Sequence, residues 1–231
     1  MNELLWFIFL IINFGLMIGV YKLFGKTGLF VWIAFGTVIA NIQVTKAITL
    51  FGLDATLGNI MYGSIFLATD TLSEKYGKKD GFLAVIFGFV SLAVSLVVMQ
   101  LALLFEPSSS DISQSALETI FGFLPRVALG SLIAYLISQL LDVYLFSKIK
   151  EKLPSTKWLW VRNNGSTLLS QLIDTAIFVP IAFLGVYDIN VFIGIFISTY
   201  IIKAIIALCD TPFLYLMKSI KPLNLLDNNK K

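Results

Sequence analysis

Apolar residues run along this chain in seven long stretches, at roughly residues 4–21, 28–51, 56–74, 81–105, 124–147, 166–187 and 190–217. The runs are continuous and do not alternate with polar positions, so they predict helices and not the strands of a barrel. About 20 such residues cross the roughly 30 Å hydrocarbon layer of a bilayer. Charge alternates between the runs. Lys22 and Lys26 follow the first, Asp54 the second, Lys75, Lys78 and Lys79 the third, and Glu106, Asp111 and Glu118 the fourth. Lys148, Lys150, Lys152, Lys157 and Arg162 follow the fifth, Asp188 the sixth, and Lys218, Lys221, Lys230 and Lys231 the last. Every second loop is basic. The positive-inside rule then predicts seven transmembrane helices, with the N-terminus outside and the C-terminus inside.

Composition agrees. Hydrophobic residues make up 58% and charged residues 13%, with a mean hydropathy of +0.88. A soluble domain carries about 45–50% apolar and about 25% charged residues. The expectation is an all-α, multi-pass membrane bundle, residues 1–231 forming one integral membrane domain. Histidine is absent, which removes His-based metal sites, and Cys209 is the only cysteine, which removes an intrachain disulfide. No metal, cofactor, catalytic residue or nucleic-acid partner is expected. Pro107-Ser108-Ser109-Ser110 reads as a linker, and residues 112–123 as a short amphipathic surface helix. Gly15 and Gly19, and Gly130 and Ala134, sit four apart and permit close helix contact, hence a homodimer.

The informative residues are the polar ones inside the runs. Ser138-Gln139-Leu140-Leu141-Asp142 in the fifth run recurs as Ser170-Gln171-Leu172-Ile173-Asp174 in the sixth, 32 residues on. The fifth run also carries Ser131 and Tyr135 at helical spacing, which makes one polar stripe. Consecutive spans are antiparallel. With the sixth span beginning near Ser166, both carboxylates are expected about 9–12 Å from the cytoplasmic end, facing each other at one depth. Further candidates are Asn41 in the second run, Asp70 at the end of the third, and Lys203 with Asp210, seven apart, in the last. Glu74 reads as a solvated interfacial charge. Ser, Gln and Asp can simply glue helices, but such bonds average only about 0.6 kcal/mol. A carboxylate in lipid costs about 2.5–3.5 kcal/mol, and intramembrane charge usually marks function.

Three stretches resemble the queuosine precursor transporter family, also called the vitamin uptake transporter family. They are Phe66–Asp70 with Glu74 and Tyr76-Gly77, Arg126-Val127-Ala128 through Gln139–Val143, and Trp160–Thr167 through Asp174–Phe178. The resemblance covers roughly residues 30–215. It implies a six-helix core at about 28–217, here preceded by an extra helix at about 4–21, and the import of 7-deazaguanine bases. Such a base is flat and presents two adjacent N–H donors beside one carbonyl. A carboxylate suits the donors and an amide or Arg the carbonyl, while aromatic rings stack on its face at about 1–3 kcal/mol per base. The expected substrate site therefore has Asp142 or Asp174 on the donor edge and Gln139 and Gln171 on the remaining polar atoms. Arg126 and Arg162 would be partners of the carboxylates, and Tyr135 a stacking ring. Asp70, Asn41, Asn164 and Lys203 complete the expected set. The lipid bilayer and a small nucleobase-like molecule are the expected partners. One alternative is a substrate-binding subunit driven by a partner ATPase. An intramembrane aspartyl protease is another, although the GxGD motif is missing. A purely structural bundle is a third.

Overall fold

A computed structural model describes residues 1–122, 125–185 and 188–225; the side chains of residues 47, 53, 54, 122 and 125–128 lie outside that description. Helices dominate, as the apolar runs require. They are α1 (Asn2–Gln43), α2 (Asn59–Lys75), α3 (Lys78–Ala102), the single turn α4 (Gln114–Leu117), α5 (Pro125–Lys152), α6 (Leu159–Phe183) and α7 (Ile189–Ser219). Five of them (α1, α3, α5, α6 and α7) are long and apolar enough to cross a membrane. The fold is thus an all-α polytopic membrane bundle.

The first helix is broken at Gly25, whose φ of 58° and ψ of −135° leave the helical region. Both ends of α1 lie beside one hairpin: Asn2 Nδ2 donates to the Thr49 carbonyl at 3.2 Å, and Gln43 is three residues from that hairpin's first strand. The helix therefore folds back on itself at Gly25. A break strands backbone carbonyls that the next turn would have bonded. The tail supplies donors, Leu223 N–H to Lys22 O at 2.8 Å and Leu225 N–H to Leu23 O at 3.1 Å. A side chain at position 25 would run into Asn224, so glycine serves there for both φ and space.

The second apolar run ends at Gln43 and not at residue 51. Residues 47–56 instead form an antiparallel hairpin, β1 (Ala47–Leu50) with β2 (Leu53–Thr56), in the register Leu50↔Leu53. Phe51 and Gly52 both have positive φ, 52° and 77°, as a two-residue primed turn needs. A hairpin pairs its own polar backbone, which suits a connection between apolar helices. The sixth helix likewise begins earlier than residue 166. Its first turns carry Arg162, Asn163 and Asn164, which are buried but held by partners from neighbouring helices, so the helix continues through them. The stretch read as a helix over 112–123 holds only α4 and a π-helical segment at Glu118–Gly122, and its last residue lies outside the described ones.

At the basic end of the bundle lie the Gly25 break, the α2–α3 corner at Tyr76-Gly77, the α5–α6 connection and the end of α7. Lys26 pairs with Asp80 at 2.7 Å, and Lys75 Nζ reaches the Met217 and Ile220 carbonyls at 3.1 and 2.5 Å. The hairpin marks the opposite end. α2 runs through the middle, with fourteen of its seventeen residues buried. α3 carries the contrast: Leu83, Phe87, Val90, Val94, Val97 and Leu101 are all exposed on an outer apolar face.

Candidate functional site

Polar side chains at helical spacing on α2, α5, α6 and α7 meet along the bundle axis. On α2, Tyr62, Phe66, Asp70 and Glu74 follow one another every four residues and share one face. They divide the interior into three levels.

α5 and α6 are antiparallel neighbours, and their two pentapeptides pair in a crossed manner. Ser138 Oγ donates to Asp174 Oδ1 at 3.1 Å, and Ser170 Oγ donates to Asp142 Oδ1 at 3.0 Å. Each serine thus serves the other copy's carboxylate. The crossing corrects the expectation of matched depth. Serine and aspartate are four residues apart in each copy, so the two carboxylates sit about 6 Å apart along the axis. Asp142 lies toward the basic end and Asp174 toward the hairpin end.

At the level of Asp174, an ion pair joins this carboxylate to Lys203 of α7, with the two side chains 15% and 7% exposed. Tyr62 lies close by. Its hydroxyl accepts from Asn41 Nδ2 at 2.9 Å and hydrogen-bonds Ser131. Tyr135 is buried on the neighbouring turn of α5, with its hydroxyl bonded to Thr37 and 3.4 Å from the Val85 carbonyl. A side chain at Gly88 would strike that hydroxyl, so glycine makes room for the ring.

One turn toward the basic end, three carboxyl groups gather: Asp70 of α2, Asp142 of α5 and Asp210 of α7, all fully buried. Asp70 and Asp142 lie side by side, served by Thr167 and Ser170 from one turn of α6. Thr167 Oγ1 donates to Asp70 Oδ2 at 3.4 Å, and Asn163 Nδ2 donates to Asp210 Oδ1 at 2.5 Å. Among the described residues no donor reaches Asp70 Oδ1, Asp142 Oδ2 or Asp210 Oδ2, and no cation pairs with any of the three. Gln139 stands beside them. Its Oε1 accepts from Thr69 Oγ1 at 3.3 Å, while its Nε2 has no partner. Gln171, buried on α6, has no donor at Oε1.

The third level is Glu74, which is buried rather than solvated. Its Oε1 takes Arg162 at 3.0 Å and Lys218 at 2.6 Å, and its Oε2 lies 3.3 Å from Lys150. Arg162, with no exposed surface, also donates to the Leu153 and Ser155 carbonyls. Its partner is therefore Glu74 and not Asp142 or Asp174, because it stays on the first turn of α6 against the α5–α6 connection. The Arg126 side chain lies outside the described ones. Asn164 donates to Thr211 Oγ1 at 2.8 Å and lines a cleft of about 430 Å³ between α6 and α7, with Trp160, Leu168, Leu172 and Tyr200. None of the four interior aspartates lines that cleft.

The structure thus brings Asp70, Asp142 and Gln139 together, and Asp174 with Lys203 and, through Tyr62, Asn41. The expected substrate set did not include Asp210, although it was noted with Lys203 in the last run, nor Asn163 and Thr167. The signal for Asp210 was present: it shares a helix face with Lys203.

An apolar helical bundle with an ionisable interior is the anatomy of a membrane transport protein. Comparison with known proteins narrows this. The family described as "Putative vitamin uptake transporter" matches residues 56–217. The chain is 58% identical over 221 residues to a protein of Bacillus subtilis (strain 168) named "Probable queuosine precursor transporter", which covers 96% of each chain. It is 33% identical over 135 residues to a Haemophilus influenzae protein of the same name, covering 58% of this chain and 54% of that one. It is 31% identical over 144 residues to the "Queuosine precursor transporter" of Escherichia coli (strain K12), covering 62% of each. No solved structure matches. The chain belongs to the queuosine precursor transporter family of vitamin uptake transporters. It is a multi-pass protein of the cytoplasmic membrane and a transporter, not an enzyme.

Proposed function

We infer that this protein imports queuosine precursors, 7-deazaguanine-type bases, across the cytoplasmic membrane. The names of its relatives support the substrate class. The observation that carries the reading is the crossed Ser138–Asp174 and Ser170–Asp142 pairing, flanked by the unpartnered amide atoms of Gln139 and Gln171. Buried hydrogen-bonding groups without partners are what a polar, planar ligand would complete.

Asp174 takes the donor edge of the base. It is the more accessible of the two repeat carboxylates and lies beside Tyr62, whereas Asp142 is closed off against Asp70. Lys203 is its counter-ion. Gln139 and Gln171 serve the remaining polar edge, and Tyr62 and Tyr135 are the rings nearest to stack on it. Seven spans fit best. α1 supplies two, divided at Gly25, and the short buried α2 supplies one. The basic end then faces the cytoplasm, with the N-terminus outside and the C-terminus inside. The relatives are named as transporters rather than as subunits of an ATP-driven complex.

Thermal unfolding of the detergent-purified protein with a panel of 7-deazaguanine bases tests this, guanine and thiamine serving as controls. Ligand at 100 times its Kd adds about 2.7 kcal/mol. The expected result is stabilisation by at least one deazaguanine, lost in Asp174→Asn. Absence of any shift across the panel would overturn the substrate assignment.

A further inference from the structure

Among the described residues, the cations that reach the axis or the basic end, whether buried or partly exposed, are committed to partners other than the central carboxylates. On α6, Arg162 is committed to Glu74, as are Lys150 of α5 and Lys218 of α7. Lys203 of α7 is committed to Asp174 of α6, Lys75 of α2 to carbonyls at the end of α7, and Lys26 of α1 to Asp80 of α3. Among the described residues, what faces Asp70 and Asp142 from the helices around them is therefore Asp210 and the neutral groups Thr69, Gln139, Ser166, Thr167 and Ser170.

Asp70 and Asp142 are both fully buried, and one oxygen of each, Asp70 Oδ1 and Asp142 Oδ2, has no donor. Two ionised carboxylates side by side without a cation repel each other, and one proton on the pair relieves that repulsion and supplies a missing donor. A metal ion is a poorer fit, because among the described residues no three acidic groups converge on one point. Independently, Gln139 is fully buried, is anchored at Oε1 beside Asp70, and leaves its Nε2 donor unused on the turn of α5 that precedes Asp142. An unused donor there calls for an acceptor on a ligand, which brings the substrate to the edge of the carboxyl pair.

We propose that Asp70 and Asp142 form a proton-binding site and that its proton is carried inward with the substrate. The proton enters from the outer side onto the pair, which goes from two negative charges to one, and leaves to the cytoplasm as the pair ionises again. No redox partner or nucleotide takes part. This coupling rests on the substrate reading above, whereas the shared proton does not.

The purified protein tests the proton first, by infrared spectroscopy at neutral pH. A carbonyl stretch of a protonated carboxyl, removed in both Asp70→Asn and Asp142→Asn, is the expected result. Absence of that band from the unmutated protein overturns the site, whatever the substrate turns out to be. Proteoliposomes with the membrane potential clamped then test the coupling with whichever deazaguanine stabilises the protein. An inside-alkaline gradient of one pH unit should drive about tenfold accumulation, the equilibrium factor for one proton per substrate, and a trapped pH dye should report acidification on adding substrate. Accumulation that ignores the proton gradient, or that follows an imposed sodium gradient instead, overturns the coupling. A panel in which no base stabilises the protein removes the substrate reading alone, and the infrared band still decides the proton site.

Discussion

Glu74 and Asp70 stand one turn apart on the same face of α2, and both are buried. Yet their surroundings are opposite. Glu74 is gripped by Arg162, Lys150 and Lys218, drawn from three elements that meet at the basic end. Among the described residues, Asp70 meets only other carboxyl groups and neutral donors. The difference separates two uses of a membrane carboxylate. A charge matched by cations closes the bundle and fixes α2 against α5, α6 and α7. A charge left unmatched is expensive to keep in a fold, so it has to be explained by what it binds.

Mutations can break that comparison. The largest effect is expected at Asp174→Ala, which should abolish uptake while membrane abundance holds; normal uptake would remove this residue from the site. Glu74→Gln comes next. It strands a fully buried guanidinium, and removing one partner of a buried pair costs about 3–5 kcal/mol, to be read as lost thermal stability in detergent. If Glu74→Gln were as stable as the parent, the clasp would not be a structural element. Asp142→Asn should do the reverse, losing no more than about 1 kcal/mol of stability, because neutralising an unmatched buried carboxyl removes a cost, while gradient-driven uptake is lost. Ser138→Ala and Ser170→Ala should each cost about 0.6 kcal/mol, the average for polar bonds between membrane helices. A double variant departing from the sum would show that the crossed pair acts as a unit. Lys26→Ala is the smallest, under about 1 kcal/mol, because the Lys26–Asp80 bridge is partly exposed.

The two pentapeptides were visible in the sequence because a repeated polar pattern in an apolar run is a local signal. Their crossed pairing was not, since the depth of Asp174 depends on where α6 starts. That start was hidden by Arg162, Asn163 and Asn164, which look like loop residues until Glu74, Asp210 and Thr211 are placed against them. Glu74 was misread for the same reason: its three cations lie 76, 88 and 144 residues away in the chain. The hairpin's first strand was absorbed into the apolar run 28–51, and its second fell in the loop that followed, although Gly52 after the Ile48-Thr49 pair is a turn signal.

The sequence by itself determined that this is a polytopic helical membrane protein, which family motifs it carries and which polar residues are candidates. Hydropathy and helical period are properties of neighbouring residues, so they survive without a structure. Only the tertiary structure decided which buried charges are matched and which are not. Matching is a property of side chains brought together from helices far apart in the chain, and in a low-dielectric interior the nearest few ångströms decide what each charge is for.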